Sequence, residues 1–178
     1  DSANATIAND QCIDIINALS ELPKFGETAV AGGSGLSIED VIRGTLFSLP
    51  EDGIPQSITA WVATPSFSHL MRCAIYIENA DKTLTLVAQT NERSVSPIPI
   101  SGKWETFALP SPVTLIKGNY LLAVVSRLSS GSASAFGTAN FADFISVQTG
   151  TTFTSFPSTL SRPGGTVRYS IYCTYTPL

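Results

Sequence analysis

Short apolar stretches with a two-residue period run along most of this chain. The clearest lies between Leu70 and Glu78, where apolar side chains occupy every second position, at Met71, Cys73, Ile75 and Ile77. This alternation is typical of a β-strand that turns one face towards a core and the other away from it.

Similar stretches recur about every ten residues, with Gly, Pro, Ser and Asn between them. They predict further strands at Gly44–Leu49, Gln56–Ala63, Leu84–Thr90, Arg93–Val95, Lys103–Ala108, Tyr120–Arg127, Ala133–Thr138, Ser146–Thr149 and Thr166–Thr176. Many short strands at this spacing indicate an all-β antiparallel sandwich or barrel. Eight or more strands in this length fit a jelly-roll β-sandwich better than a seven-stranded immunoglobulin sandwich, and we expect one such domain over residues 25–178.

Residues 1–24 have a different pattern of apolar residues and form a predicted N-terminal extension. Read as a helix, the segment places four residues at i, i+3, i+4 and i+7: Cys12, Ile15, Ile16 and Leu19. Read as a strand, it places four residues on one face: Ile7, Ile13, Ile15 and Leu19. The helical pattern matches better locally, but quaternary context can override local preference, so both interpretations stay open.

The composition favours an exported protein and disfavours several partners. Charged residues make up 13% of the chain, against about a quarter in typical domains, and Ser and Thr supply much of the remaining polarity. The net charge of −4 and the scattered Lys and Arg argue against nucleic acid. No apolar run is long enough for a membrane span. The start DSANATIAND is expected to be a mature end, and Asn4 opens a possible glycosylation sequon.

Several segments carry a resemblance to known proteins: Phe25–Thr28, Arg43–Val62, Cys73–Glu78, Leu115–Val125 and Arg168–Thr176. From Phe25 onward the chain resembles a family of extracellular jelly-roll domains in bacterial and archaeal surface proteins. That resemblance implies adhesion, carbohydrate binding or surface assembly and carries no catalytic motif. The position of the extension is similar to that in filament subunits of the TasA and archaeal bundling-pilin type. In those subunits the N-terminal segment of one copy completes the sheet of its neighbour.

Two of the three cysteines fall on apolar faces of predicted strands. Cys73 and Cys173 form a candidate disulfide, which would suit an exported protein. The alternative is that both are buried thiols acting as small apolar side chains. Cys12 is then the odd cysteine, and the absence of any CxxC pair argues against zinc.

Aromatic residues suggest a possible binding surface. Trp61 and Trp104, together with Tyr76, are candidates for stacking against sugar rings. The alternative is that both tryptophans pack at the ends of the sandwich or beneath loops.

Little in the chain suggests catalysis, and we predict neither enzymatic activity nor a cofactor or metal. His69, the only histidine, is expected at the surface, and its neighbour Ser68 points to the opposite face of a strand. The carboxylates of Glu51 and Asp52, and of Glu78 and Asp81, fall in predicted turns, where such groups are ordinarily solvated. No GxSxG elbow and no DxDxDG calcium loop is present.

These observations predict a structural subunit of an extracellular filament or cell-surface assembly, a homopolymer joined by strand complementation through the N-terminal segment. A carbohydrate-binding or adhesion module with glycan partners is the alternative. A viral coat jelly roll is a further alternative, although the chain lacks a basic arm for contact with a genome.

Overall fold

The computed structural model describes residues 22–30, 32–33, 35–127, 132–138, 146–150, 155–161 and 165–178. Every regular element in these residues is a β-strand. The strands are β1 (Lys24–Gly26), β2 (Gly35–Ser37), β3 (Val41–Leu49), β4 (Gly53–Thr64), β5 (His69–Glu78), β6 (Leu84–Gln89), β7 (Arg93–Val95), β8 (Ile98–Ala108), β9 (Gly118–Ser126), β10 (Ser134–Thr138), β11 (Ser146–Gly150), β12 (Thr159–Leu160), β13 (Arg168–Tyr169) and β14 (Ile171–Pro177).

The strands form two seven-stranded sheets. Sheet A has the order β1-β14-β4-β10-β13, with β8 paired to β4 and β2 to β10. Sheet B has the order β11-β3-β9-β5-β6-β12, with β7 paired to β5. All strand pairings are antiparallel, and β3, β4 and β5 pass in turn from one sheet to the other. The prediction of an all-β antiparallel sandwich is confirmed.

The main core lies between the two sheets and is built from alternate residues of each strand. Sheet B contributes Met71, Cys73 and Ile75 from β5, and sheet A contributes Ile58 and Val62 from β4, all of them buried. Alternate residues at the end of the chain are also in this core, because Tyr169, Ile171, Cys173 and Tyr175 all belong to it.

A second apolar cluster lies on the outer face of sheet B. Its buried members in the strands include Ile42, Ala74, Tyr76, Leu84, Leu121, Ala123 and Val125. Phe156 and Leu160, from the segment that contains β12, pack against this cluster. Sheet B is therefore apolar on both of its faces, and β9 is buried from Tyr120 to Ser126.

Two strand predictions need correction. The strand predicted over Thr166–Thr176 is divided at Ser170, where β13 pairs with β10 and β14 pairs with β4. In β6, alternation predicts that Leu84, Leu86 and Ala88 share one face, but Leu84 and Leu86 face the outer cluster while a register shift opposite Ile75 and Tyr76 turns Val87 and Ala88 towards the main core.

The predictions for the N-terminal extension lie outside the described residues. They concern Asn4, Ile7, Cys12, Ile13, Ile15, Ile16 and Leu19. The first described strand, β1, begins at Lys24, beside the predicted domain boundary. In the described part of the chain, no helix is long and apolar enough to cross a membrane.

Candidate functional site

An open groove exposes part of the main core at one edge of the sandwich. It has a volume of about 350 Å³ and lies between β6 and the segment 109–113. Its apolar walls are Val87 and Ala88 on one side and Leu109 and Val113 on the other. All four side chains pack against the main core and are only partly buried. The core is therefore incompletely covered along this groove.

Part of β6 beside the groove lacks a second partner strand among the residues that the structure describes. On the outer side of β6, β12 pairs only with Leu84 and Thr85, and the Leu86 N–H donates to the Ser158 carbonyl. Among the described strands, none pairs with Val87–Gln89 on this side. The bulge explains why Val87 and Ala88 both face inwards, because an extra residue in one strand re-aims the side chains around it.

The strand across the groove from β6 is β8 of sheet A, and unlike β6 it has charged residues, a proline and a bulge along its edge. It pairs with β4, and within the described residues it has no second partner strand. Lys103 and Glu105 lie on β8 with Nζ and Oε1 3.4 Å apart, and Arg93 binds Glu105 at 2.6 Å. Pro99 and a backbone irregularity near Gly102 interrupt its first half. Charges, Pro and bulges of this kind discourage strand addition at a sheet edge.

The structure brings Trp61 and Trp104 together on the outer face of sheet A. They are directly opposite each other on β4 and β8, with ring centroids 5.3 Å apart and planes at 80°. Tyr172 of β14 extends the row, because its ring lies 5.3 Å from that of Trp104. All three rings are partly exposed, and the Lys24 ammonium lies 5.7 Å from the Tyr172 ring at the end of the row.

Tyr76 does not belong to this aromatic row, contrary to the sequence interpretation. Its side chain is fully buried on the outer face of sheet B, with its ring 6.2 Å from that of Phe156. Its hydroxyl donates to the Pro157 carbonyl at 3.0 Å, and burial raises the pKa of the phenol. Tyr172 was missed, although its position next to Cys173 already placed it on the outer face of the last strand.

Both core cysteines are free thiols in the structure, so the candidate disulfide is not formed in it. Cys73 lies on β5 and Cys173 on β14, in opposite sheets, and each is fully buried in the main core. Burial raises the pKa of the Cys73 thiol and raises that of Cys173 to about 12. Thiols with such pKa values are poor nucleophiles and act here as small apolar side chains.

The prediction of a surface histidine is wrong, because His69 is only 1% exposed. Its Nδ1 lies 3.4 Å from the Ser126 hydroxyl and 3.9 Å from Glu39 Oε1. A hydrolytic triad needs the serine on one ring nitrogen and the carboxylate on the other. Here both groups face the same nitrogen, and Ser126 is fully buried. These three residues therefore do not have the geometry of a nucleophile, base and orienting acid.

The turn carboxylates are engaged in local structure. Asp52 Oδ1 accepts the Lys117 N–H at 2.6 Å, and Glu51 accepts the Tyr175 hydroxyl at 3.2 Å. Asp81 accepts two hydrogen bonds from Thr83, and the Thr83 hydroxyl is the main reason that the pKa of Asp81 is lowered. In the described residues, no group of three His, Cys, Asp or Glu side chains could hold a metal ion.

Comparison with known proteins gives no assignment. No protein-family description matches the chain, and no curated protein has a significantly similar sequence.

Proposed function

We propose that this protein is a non-enzymatic structural subunit of an extracellular assembly, and that the N-terminal segment of a neighbouring copy occupies the groove beside β6. The observation that carries the proposal is the incompletely covered core at Val87, Ala88, Leu109 and Val113. A strand added there would cover these side chains and would pair with the outer side of Val87–Gln89, where no described strand pairs.

The N-terminal segment has the pattern that such a groove requires. As a strand, it presents Ile7, Ile13, Ile15 and Leu19 on one face, interrupted by Asn9, Gln11 and Asn17, and the adjacent apolar pair Ile13 and Ile15 suits a short apolar groove. Burial of apolar area is worth about 25 cal/mol per Å², and together with backbone hydrogen bonds to β6 it would offset an ordering cost of about 1–2 kcal/mol per residue of the added strand. The charged and interrupted edge of β8 directs this pairing to the β6 side of the opening.

The low charge of the chain supports the same function. With 13% charged residues, copies of the subunit repel each other weakly and approach closely without many buried ion pairs. The assembly proposal thus combines an exposed strip of core, an apolar segment outside the described sandwich, and a surface that tolerates close packing.

The test compares point variants of the full chain by sedimentation velocity and negative-stain electron microscopy. Val87→Asp places a charge in the groove, and a double variant, Ile13→Asp with Ile15→Asp, places charges in the segment. Both are expected to abolish assemblies while circular dichroism retains the β-sheet signal. Val30→Asp is the matched control, because Val30 is 48% exposed and lies away from the groove lining.

Two results would reject the proposal. One is an unaltered protein that remains monomeric at high concentration. The other is assembly that persists in both the groove variant and the segment variant.

A further inference from the structure

A second concave site lies on the outer face of sheet A, next to the aromatic row. It is a pocket of about 140 Å³ with Ala63 at its base. Ile100 and Pro65 line it together with Phe136, Ser132 and Ser134. The pocket does not share residues with the groove beside β6.

An interruption of the β-ladder builds one wall of this pocket. Lys103 pairs with Val62, but the next pairing joins Ile98 to Thr64, so residues 99–102 bulge out of β8. Within the bulge, Gly102 has a φ of +81°, and a Cβ at this position would collide with the Trp61 indole nitrogen. The same indole N–H donates to the Ser101 carbonyl at 3.1 Å. Trp61 thus fixes the bulge, and the bulge carries Ile100.

Ile100 is unusual for a surface residue. It is 78% exposed, the largest exposure among the large apolar side chains described, and it stands at the rim of the pocket. A large exposed apolar side chain beside a pocket and next to partly exposed aromatic rings is typical of a binding surface.

We propose that this pocket and the aromatic row bind a neutral saccharide chain, with one pyranose unit at the pocket and the next unit against Trp104. The volume suits one small ring or its substituent, and larger pockets of about 300–1,000 Å³ are typical for drug-sized ligands. Sugar rings combine an apolar C–H face, which packs on aromatic rings, with hydroxyls that pair with Ser132 and Ser134. Among the described residues, the pocket lining contains no charged side chain, which favours a neutral sugar over an acidic one.

The inference is independent of the proposed assembly, because its residues lie on the other sheet. Affinity gel electrophoresis of the full chain, with laminarin, galactomannan, arabinoxylan or dextran in the gel, provides the test, and polygalacturonate serves as the anionic comparison. We expect retardation by at least one neutral polysaccharide. Trp104→Ala should weaken that binding at least about tenfold, equivalent to about 1.4 kcal/mol.

Ile100→Ser provides a second variant at an exposed position that should not disturb folding, and it should weaken binding about threefold or more. The matched control is Ile116→Ser, because Ile116 is also an exposed isoleucine, at 59%, and is not in the pocket lining. The control should bind like the unaltered protein.

Three results would overturn the inference. These are no retardation by any of the neutral polysaccharides, retardation by polygalacturonate alone, and binding that is unchanged in both Trp104→Ala and Ile100→Ser. Loss of self-association in Ile100→Ser, measured by sedimentation without any glycan effect, would instead make this face an interface between copies of the chain.

Discussion

The outer faces of the two sheets differ in how much of their surface is buried. On sheet B, outward-facing residues such as Ile42, Leu121 and Ala123 have no exposed surface. On sheet A, the outward-facing Trp61, Trp104 and Tyr172 are partly exposed, and Thr106 is exposed. An antiparallel sheet ordinarily packs one face against a core and leaves the other to solvent. Sheet A follows that rule, and sheet B does not.

The difference shows which sheet is packed on both faces and which leaves one face to solvent. Sheet B lies between two apolar clusters, so its central strand β9 is the most constrained part of the described chain. The outer face of sheet A carries aromatic rings and hydroxyl groups. These side chains are only partly buried, so they contribute less to stability than the outer cluster of sheet B and remain accessible from solvent. The groove beside β6 lies where the main core between the sheets is incompletely covered.

The largest expected effect concerns neighbouring leucines of β9. Leu122 faces the main core and Leu121 faces the outer cluster, and both are fully buried. Leu121→Ala and Leu122→Ala should each lower the free energy of unfolding by about 2–5 kcal/mol, because each leaves a cavity in a packed environment. Urea denaturation measures both values. A loss below about 1 kcal/mol in Leu121→Ala alone would show that the outer face of sheet B is not a true core.

A smaller effect is expected on sheet A from Gly102→Ala. The left-handed φ and the contact with Trp61 make any side chain at this position unfavourable, at a cost of about 1–3 kcal/mol. Gly118→Ala is the matched control, because the nearest atom to an added Cβ is at 3.7 Å and its φ is not in that region. Tryptophan fluorescence should shift in Gly102→Ala as the bulge leaves Trp61. Equal stability and spectra for the two variants would contradict the described role of the bulge.

In alkaline solution, the buried titratable groups make the stability of the fold depend on pH. Burial raises the folded-state pKa values of Tyr76, Cys73 and Cys173 above their ordinary values of 10.0 for tyrosine and 9.0 for cysteine. The unfolded chain therefore releases these protons first, so their contribution to stability is complete below about pH 9 and is lost as the pH rises further. The urea midpoint should fall between about pH 9 and 11.

Tyr76→Phe separates the contribution of Tyr76, in the outer cluster, to the alkaline loss of stability from that of the two cysteines in the main core. It should cost about 1 kcal/mol at pH 7 through the lost hydrogen bond to Pro157, and it should make the alkaline fall shallower. A fall of unchanged steepness would mean that Tyr76 ionises as easily in the folded protein as in the unfolded chain.

The sequence predicted the strands well because alternation reports directly which side chains share a face. Met71, Cys73 and Ile75 are in the core as predicted, and the same parity places His69 inside as well. The expectation of a surface histidine gave too much weight to its polarity and too little to its position two residues before Met71.

The candidate sites depend on strand register, bulges and long-range packing, and the periodicity of a single sequence does not reveal these features. The pairing of Trp61 with Trp104 follows from the register between β4 and β8, and the inward turn of Val87 follows from a bulge in β6. The burial of Tyr76 depends on Phe156, which is far away in the sequence. These features are determined by tertiary structure, so the groove and the pocket can be recognised only in the folded protein.

Covalent trapping between two differently marked chains tests the assembly proposal most directly. In a Cys12→Ser background, one protein carries Ile15→Cys in the N-terminal segment and the other carries Ala88→Cys in the groove. After mild oxidation of the mixture, the proposal predicts a disulfide-linked product of two 18.8 kDa chains that forms far less in either variant alone. The absence of that product, or a chain carrying both substitutions that closes only on itself, would contradict it.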